Sequence, residues 1–180
     1  MTSNTHPSVK ILVSAISIAL IDWMSVFAVN AQPISPSSET TSAQPQQNSY
    51  VGFGGVVGLQ GSTTSLSQGS FSVLHKHVLN ESLAIHSAST IFASSVSSSS
   101  IALTFNRPIV SDNLPLVLTP FLGGGIMVHY ENGTRISPLV TGGIDVNTPF
   151  DLTGTLRINA GFVSERQADI GVLFGIGKNY

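Results

Sequence analysis

Apolar and polar residues alternate with a period of two along the chain from Tyr50 onward, which predicts β-strands rather than helices. The alternation is clearest in residues 152–162, where Leu, Gly, Leu, Ile, Ala and Phe hold the even positions and Thr, Thr, Arg, Asn and Gly the odd ones. Residues 50–60, 140–147 and 170–180 follow the same rule. Each segment therefore predicts a strand with one apolar face and one polar or glycine-rich face.

Turn signals separate these strands. The strongest is Asn132-Gly133, followed by a proline-containing turn at 147–151 and a tight turn at 79–82. Polar or charged loops are expected at 61–69, 94–100, 107–115 and 164–169. The predicted strands are residues 50–60, 69–79, 82–93, 100–107, 115–131, 135–147, 151–164 and 169–180. Pairing across the turn at 147–151 predicts Arg157 opposite Thr141, with Asp145 closer to the turn.

The first 49 residues lack the alternation that predicts strands in the rest of the chain. Residues 1–31 are typical of a signal peptide: a polar start ending in Lys10, an apolar run from Ile11 to Ile21, and a small-residue cleavage site ending at Ala31. The alternative is an uncleaved transmembrane helix, which Asp22 disfavours. Residues 32–49 are rich in Ser, Thr, Gln and Pro and predict a disordered linker. Residues 50–180 then form the folded domain.

The charge content decides which way the apolar face points. Charged residues make up 9% of the chain, the formal net charge is −2 and cysteine is absent. This excludes a basic nucleic-acid-binding protein and a disulfide scaffold. A soluble sandwich would place many Lys and Glu residues on its outer face. We therefore expect the apolar face to contact lipid, in a single all-β, antiparallel, eight-stranded, up-and-down transmembrane β-barrel.

Three segments resemble the small, eight-stranded outer-membrane β-barrel family of Gram-negative bacteria. They are the opening Tyr50–Gly55, the triple glycine at 123–125 and the closing residues 169–180. The resemblance implies that the last strand is read by the barrel-assembly machinery through alternating apolar residues and a final aromatic residue. The positions that fit this assembly signal are Val172, Phe174, Ile176 and Tyr180. Lys178 departs from the family's apolar preference, and Tyr180 replaces its more usual Phe. The Ser/Gln/Pro-rich linker is consistent with a cyanobacterial member.

The inward face carries the candidate functional residues. We expect Glu131, Asp145 and Arg157 to form a lumen charge network, because an unpaired buried charge is costly. His75 and His77 share a strand face and, with His86, offer an alternative three-histidine metal site. We favour ordinary rim or lumen histidines and expect no metal and no cofactor.

The sequence contains no strong catalytic motif. No Gly-x-Ser-x-Gly, phosphate-loop or dinucleotide signature is present. His129 beside Glu131 is the candidate for a hydrolase at the rim, and we expect no enzymatic activity.

These features predict a small barrel in the cell outer membrane with a structural or surface-interaction role in the envelope. Its expected partners are outer-membrane lipid and the barrel-assembly machinery, with no nucleic acid and no small-molecule substrate identified. A general porin is disfavoured, because side chains fill the interior of an eight-stranded barrel. The alternative is a secreted soluble β-barrel that binds an apolar ligand, with its apolar face turned inward.

Overall fold

The computed structural model describes residues 47–90, 97–110, 115–130, 134–164 and 167–180. The predicted signal peptide, most of the predicted linker and Glu131 lie outside these residues. The elements of the described part are β1 (Tyr50–Gln60), α1 (Ser65–Gln68), β2 (Ser70–Val78), β3 (Leu83–Thr90), β4 (Ser97–Asn106), β5 (Ile109–Val110), β6 (Val117–Tyr130), β7 (Thr134–Asn147), β8 (Leu152–Ser164) and β9 (Gln167–Asn179). No helix in this part of the chain is long and apolar enough to cross a membrane.

The sheet closes on itself. Each long strand pairs antiparallel with the next, and β1 pairs with β9, from Tyr50 opposite Asn179 to Gln60 opposite Ile170. The pairing of β4 with β6 completes the ring, and the two residues of β5 extend it along β6. Among the described residues, eight long strands therefore form the wall, which confirms the predicted all-β, eight-stranded antiparallel barrel.

Apolar side chains hold most outward positions of the long strands, with serine or histidine at some outward positions of β2, β3 and β4. Phe53, Leu122 and Ile158 are 58%, 65% and 55% exposed, whereas the inward Lys76 and Thr153 are 0% exposed. A soluble barrel that binds an apolar ligand requires the opposite arrangement. The structure therefore contradicts that alternative and leaves a surface that needs lipid to cover it.

The barrel has two distinguishable ends. The termini end holds residues 47–49, Tyr180 and the turns at 79–82 and 148–151; the far end holds the segment 61–69. At the termini end, residues 47–49 of the predicted linker pack on the barrel. Gln47 Nε2 donates to the Glu81 carbonyl at 2.5 Å, and Asn106 Nδ2 donates to Gln47 Oε1 at 3.0 Å.

Three local predictions differ from the structure. The predicted loop 94–100 is strand from Ser97 onward, because its serine backbone continues the ladder with β6. The last strand begins at Gln167 rather than at 169, so Asp169 lies within the wall of β9 and not at the edge of a turn. Arg157 pairs with Gly143 rather than Thr141, because Thr148 N donates to the Leu152 carbonyl and the turn therefore closes one residue later in β8 than predicted, which moves the register by two residues.

Candidate functional site

A group of polar side chains fills the lumen toward the termini end. Antiparallel register places Lys76 opposite both Tyr50 and His86, and places Asp145 opposite Thr155. Because these positions share the inward face of their strands, their side chains converge inside the barrel. Together with Arg157 they form what we call the lumen network: Tyr50, Lys76, His86, Asp145, Thr155 and Arg157, each at most 5% exposed.

Asp145 is the centre of this network. Lys76 Nζ donates to Asp145 Oδ2 at 2.9 Å, and both side chains are fully buried. Thr155 Oγ1 and the Tyr50 hydroxyl donate to Asp145 Oδ1 at 2.6 and 3.3 Å. His86 Nε2 lies 3.9 Å from Oδ2, beyond hydrogen-bond distance. The carboxylate is therefore compensated by one buried cation and two hydroxyl groups.

Arg157 is held by neutral oxygens and aromatic rings. Its guanidinium donates to the Tyr50 hydroxyl at 2.5 Å, to Thr155 Oγ1 at 3.2 Å and to the Ser87 carbonyl at 3.5 Å. Its Cζ also lies 5.9 Å from the ring centroids of both Tyr50 and Phe121. In the described part of the chain, Asp145 forms its ion pair with Lys76 and not with Arg157.

The structure brings two of the three predicted network residues together. Asp145 and Arg157 join the lumen network, and Glu131 lies outside the described residues. Sequence reasoning missed Lys76 and Tyr50. The alternation in β2 contained the signal for Lys76, since Ser72, Leu74 and Lys76 share one face, but the flanking histidines obscured which face was inward.

The histidines do not form one site. His86 points inward and its ring packs against Phe121 with centroids 4.2 Å apart. His75 and His77 lie on the outer face, where His75 Nε2 hydrogen-bonds the Tyr180 hydroxyl at 2.7 Å. Because the barrel wall separates His86 from the other two, the three imidazoles cannot share a metal ion. Among the described residues, no three His, Cys, Asp or Glu side chains are grouped so that they could hold a metal ion.

The predicted hydrolase candidate is also buried. His129 lies on the inward face of β6 and is 2% exposed, whereas a rim hydrolase requires its histidine to be accessible. Its proposed companion, Glu131, lies outside the described residues. The geometry of His129 therefore gives no support to a hydrolase at the rim.

The segment 61–69 folds into the far end of the lumen, and we call it the plug. Asp169 Oδ2 accepts from Thr63 N at 3.0 Å, Thr64 N at 2.5 Å and Ser67 Oγ at 3.1 Å. These bonds tie the first turn of α1 to a buried carboxylate in the wall. Gly61 and Gly69, with φ of +97° and +79°, let the chain turn into and out of the plug.

Apolar and hydroxyl contacts complete the plug. Leu66 is 6% exposed and belongs to a cluster with Val56, Met127, Leu139 and Leu173. Ser65 Oγ hydrogen-bonds Thr90 Oγ1 at 3.0 Å and also bonds Ser98 Oγ. The lumen is thus filled by charged and polar groups toward one end and, toward the other, by a plug that combines hydroxyl contacts with one buried leucine.

The chain is similar to several solved structures at low sequence identity. No family model matches the sequence, and no curated protein matches it. Among solved structures, the N-terminal β-barrel domain of Pseudomonas aeruginosa OprF is 10% identical with a TM-score of 0.48, over 74% of this chain and 98% of that one. The attachment invasion locus protein Ail of Yersinia pestis is 12% identical with a TM-score of 0.41, over 74% and 98%. Ail in a phospholipid nanodisc is 9% identical with a TM-score of 0.42, over 74% and 100%.

The closed ladder and the direction of the side chains determine the environment of the protein. Every long strand pairs on both sides, so no sheet edge is left open along the wall of the described barrel. The exterior is apolar and the interior is polar, which is the pattern of bacterial outer-membrane barrels. The chain is therefore a membrane β-barrel of the outer-membrane type.

Proposed function

We propose that this chain is a non-conducting outer-membrane barrel with a structural or surface-interaction role in the cell envelope. One observation carries the proposal: an apolar exterior surrounds a lumen that is filled by the lumen network and the plug. A barrel built this way presents lipid-facing side chains and loops to its surroundings rather than a water-filled path.

The filled lumen argues against a general porin. Arg157, Lys76 and Phe121 project into the centre, and each is at most 5% exposed. Leu66 of the plug is packed against the wall at the far end. A diffusing solute would have to break ion-paired and hydrogen-bonded contacts that are costly to leave unpartnered.

A non-enzymatic role fits the same geometry. The polar groups of the lumen network bond mainly to one another and lie out of reach of solvent. A catalytic group must contact a substrate, whereas these side chains contact their own barrel. We propose that they stabilise the wall.

The outward side chains of β9 and of Tyr180, which follows it, support a second part of the proposal. Phe174, Ile176 and Tyr180 are 51%, 57% and 64% exposed, and Val172 shares their face. We propose that these four residues form the signal read by the barrel-assembly machinery. Outer-membrane lipid and that machinery are then the partners of the protein.

Heat modifiability tests the membrane assignment. The full chain is expressed in a Gram-negative host, and the outer-membrane fraction is run on SDS gels with and without boiling. We expect the protein in that fraction, with a band that shifts on boiling. A soluble protein without a shift would contradict the proposal.

Conductance tests the closed lumen. The purified barrel is inserted into planar bilayers beside a known porin, and we expect no stable channels. Steady conductance from a heat-modifiable preparation would contradict the non-conducting assignment and leave the membrane assignment intact.

A further inference from the structure

The outer wall carries an apolar groove that crosses β7, β8, β9, β1 and β2. Its volume is about 760 Å³, within the range of small-molecule pockets. Its walls are built by six large outward side chains: Phe53, Phe71, Ile144, Leu156, Phe174 and Ile176. Because the barrel exterior lies in lipid, this concavity faces acyl chains rather than water.

One outward glycine, Gly154, leaves the groove open. It lies between Val146 and Ile176 of the neighbouring strands, whereas at the groove's other outward glycine, Gly55, the Phe174 ring lies where a side chain would be. A Cβ added at Gly154 would meet nothing within 4 Å, so no neighbouring atom requires a glycine there. The inward Gly52 differs, because its Cβ would overlap Ile176 O. The open space at Gly154 is therefore not explained by packing within the barrel.

A positive charge lies directly beside the groove. Lys178 is the next outward residue after Ile176 toward the termini end, and it pairs with Val51 and Leu152. Among the outward positions of the described strands, Lys178 is the only Lys, Arg, Asp or Glu. Lys178 is exposed and lies opposite Leu152, directly beside the turn at 148–151, which puts it at the level where a membrane barrel meets the headgroups.

Two further polar groups lie on the same rim. Val51 of β1 pairs with Lys178 on one side and with His75 on the other. Lys178, Val51 and His75 therefore form one outward row across three strands. The Tyr180 hydroxyl hydrogen-bonds His75 Nε2 at 2.7 Å. An amine, an imidazole and a phenol hydroxyl thus stand at the headgroup side of an apolar groove.

We propose that this groove and Lys178 form a binding site for a glycerophospholipid with a net negative headgroup. One acyl chain lies over Gly154, between the apolar side chains that line the groove. The phosphate lies at the Lys178 ammonium, with the His75 and Tyr180 pair beside it. The inference rests on the membrane assignment above and adds a defined lipid site to it.

Charge and shape favour lipid over a second copy of the chain. A twofold contact through this face would set two identical concavities against each other and bring like charges on the two copies together. A flexible acyl chain can fill the concavity, and an anionic headgroup complements the ammonium. Lipid satisfies both requirements at once.

Native mass spectrometry of the full barrel, released from mild detergent, tests the site. The probes are phosphatidylglycerol and phosphatidylcholine, added separately at equal concentration. We expect phosphatidylglycerol to bind several-fold more than phosphatidylcholine. Lys178→Gln should remove this preference while some binding of both lipids remains. All variants are first checked for the boiling-dependent gel shift.

Filling the groove provides the second arm. Gly154→Leu should lower binding of both lipids several-fold, because its side chain occupies the groove. Gly124→Leu is the matched control: Gly124 is an outward glycine on β6 whose added Cβ would meet only Leu139 O, at 3.4 Å. It should leave lipid binding unchanged.

Three results would overturn the proposal while leaving the membrane assignment standing. They are equal binding of the two lipids by the wild-type barrel, an unchanged preference in Lys178→Gln, and equal effects of the two leucine variants. A concentration-dependent dimer that Gly154→Leu abolishes without changing lipid binding would instead identify the groove as a contact between copies.

Discussion

Arg157 and Asp145 form no direct ion pair, yet two hydroxyl groups join them. The hydroxyls of Tyr50 and Thr155 each donate to Asp145 Oδ1 and each accept from the Arg157 guanidinium. Each bridging hydroxyl donates its one proton to the Asp145 carboxylate, and the lone pairs of its oxygen accept from the Arg157 guanidinium. This arrangement links β1 and β8 to β7 through the centre of the lumen.

Removing the charge of Asp145 should strongly destabilise the barrel. Asp145→Asn leaves Lys76 buried without its carboxylate, and breaking a buried pair in this way costs about 3–5 kcal/mol. Urea unfolding in detergent micelles, followed by circular dichroism, measures the loss. Asp151→Asn is the matched control, because Asp151 is exposed in a turn at φ 56°, where Asn is well tolerated. Equal effects of the two substitutions would contradict the role of Asp145.

The two bridging hydroxyls should be energetically coupled. Tyr50→Phe and Thr155→Val should each lower the free energy of unfolding by about 1–3 kcal/mol. Because both hydroxyls serve the same two partners, the double variant should deviate from additivity by about 0.5–3 kcal/mol. In the control cycle, Thr141→Val replaces Thr155→Val, since Thr141 bonds Asn159 instead, at 2.7 Å. Additive effects of Tyr50→Phe and Thr155→Val would refute the bridge.

The plug should loosen when Asp169 loses its charge. Asp169→Asn weakens three bonds to the plug, from Thr63, Thr64 and Ser67, and charge-assisted bonds of this kind are about twice as strong as neutral ones. We expect faster cleavage within 61–69 by proteinase K while the boiling-dependent gel shift persists. Cleavage no faster than in Asp151→Asn would show that Asp169 does not hold the plug.

Closure of the barrel should depend on Gly52. A Cβ at this position would overlap Ile176 O and Gly177 Cα of β9, so Gly52→Ala should separate β1 from β9. We expect the folded band on unboiled gels to be largely lost. Gly154→Ala is the control, because its Cβ meets nothing within 4 Å. A folded Gly52→Ala barrel with wild-type thermal stability would contradict this contact.

The last residue allows the assembly proposal to be separated from local packing. The Tyr180 ring stacks on His75 with centroids 6.2 Å apart, in addition to the hydroxyl bond. If recognition needs an aromatic ring, Tyr180→Phe should assemble normally in cells and Tyr180→Ala should accumulate unassembled. The ratio of shifted to unshifted bands in whole membranes measures assembly, and refolding of the purified variants in detergent is the control. An assembly defect of equal size in both variants would point to the hydroxyl instead.

The strands were predictable because one physical rule governs them. Each wall residue faces either lipid or lumen, so alternation in segments such as β8 translates directly into structure. The plug was not predictable in this way, because its buried side chains, Leu66 among them, lie in a loop without periodicity. The partner of Asp145 was missed for another reason: Lys76 lies between two histidines that face outward, and the local pattern of β2 is therefore mixed. The register at Arg157 depended on one turn bond that sequence spacing did not reveal.

The pairing of β1 with β9 is the contact that closes the barrel, and it requires both strands to be present. β1 finds its final partner only when β9 is in place, and this seam is the contact of greatest sequence separation in the described wall. Until then, the growing sheet has two open edges that can pair with other chains. A sheet that lacks β9 is therefore exposed to edge-to-edge aggregation even when its other seven long strands are paired.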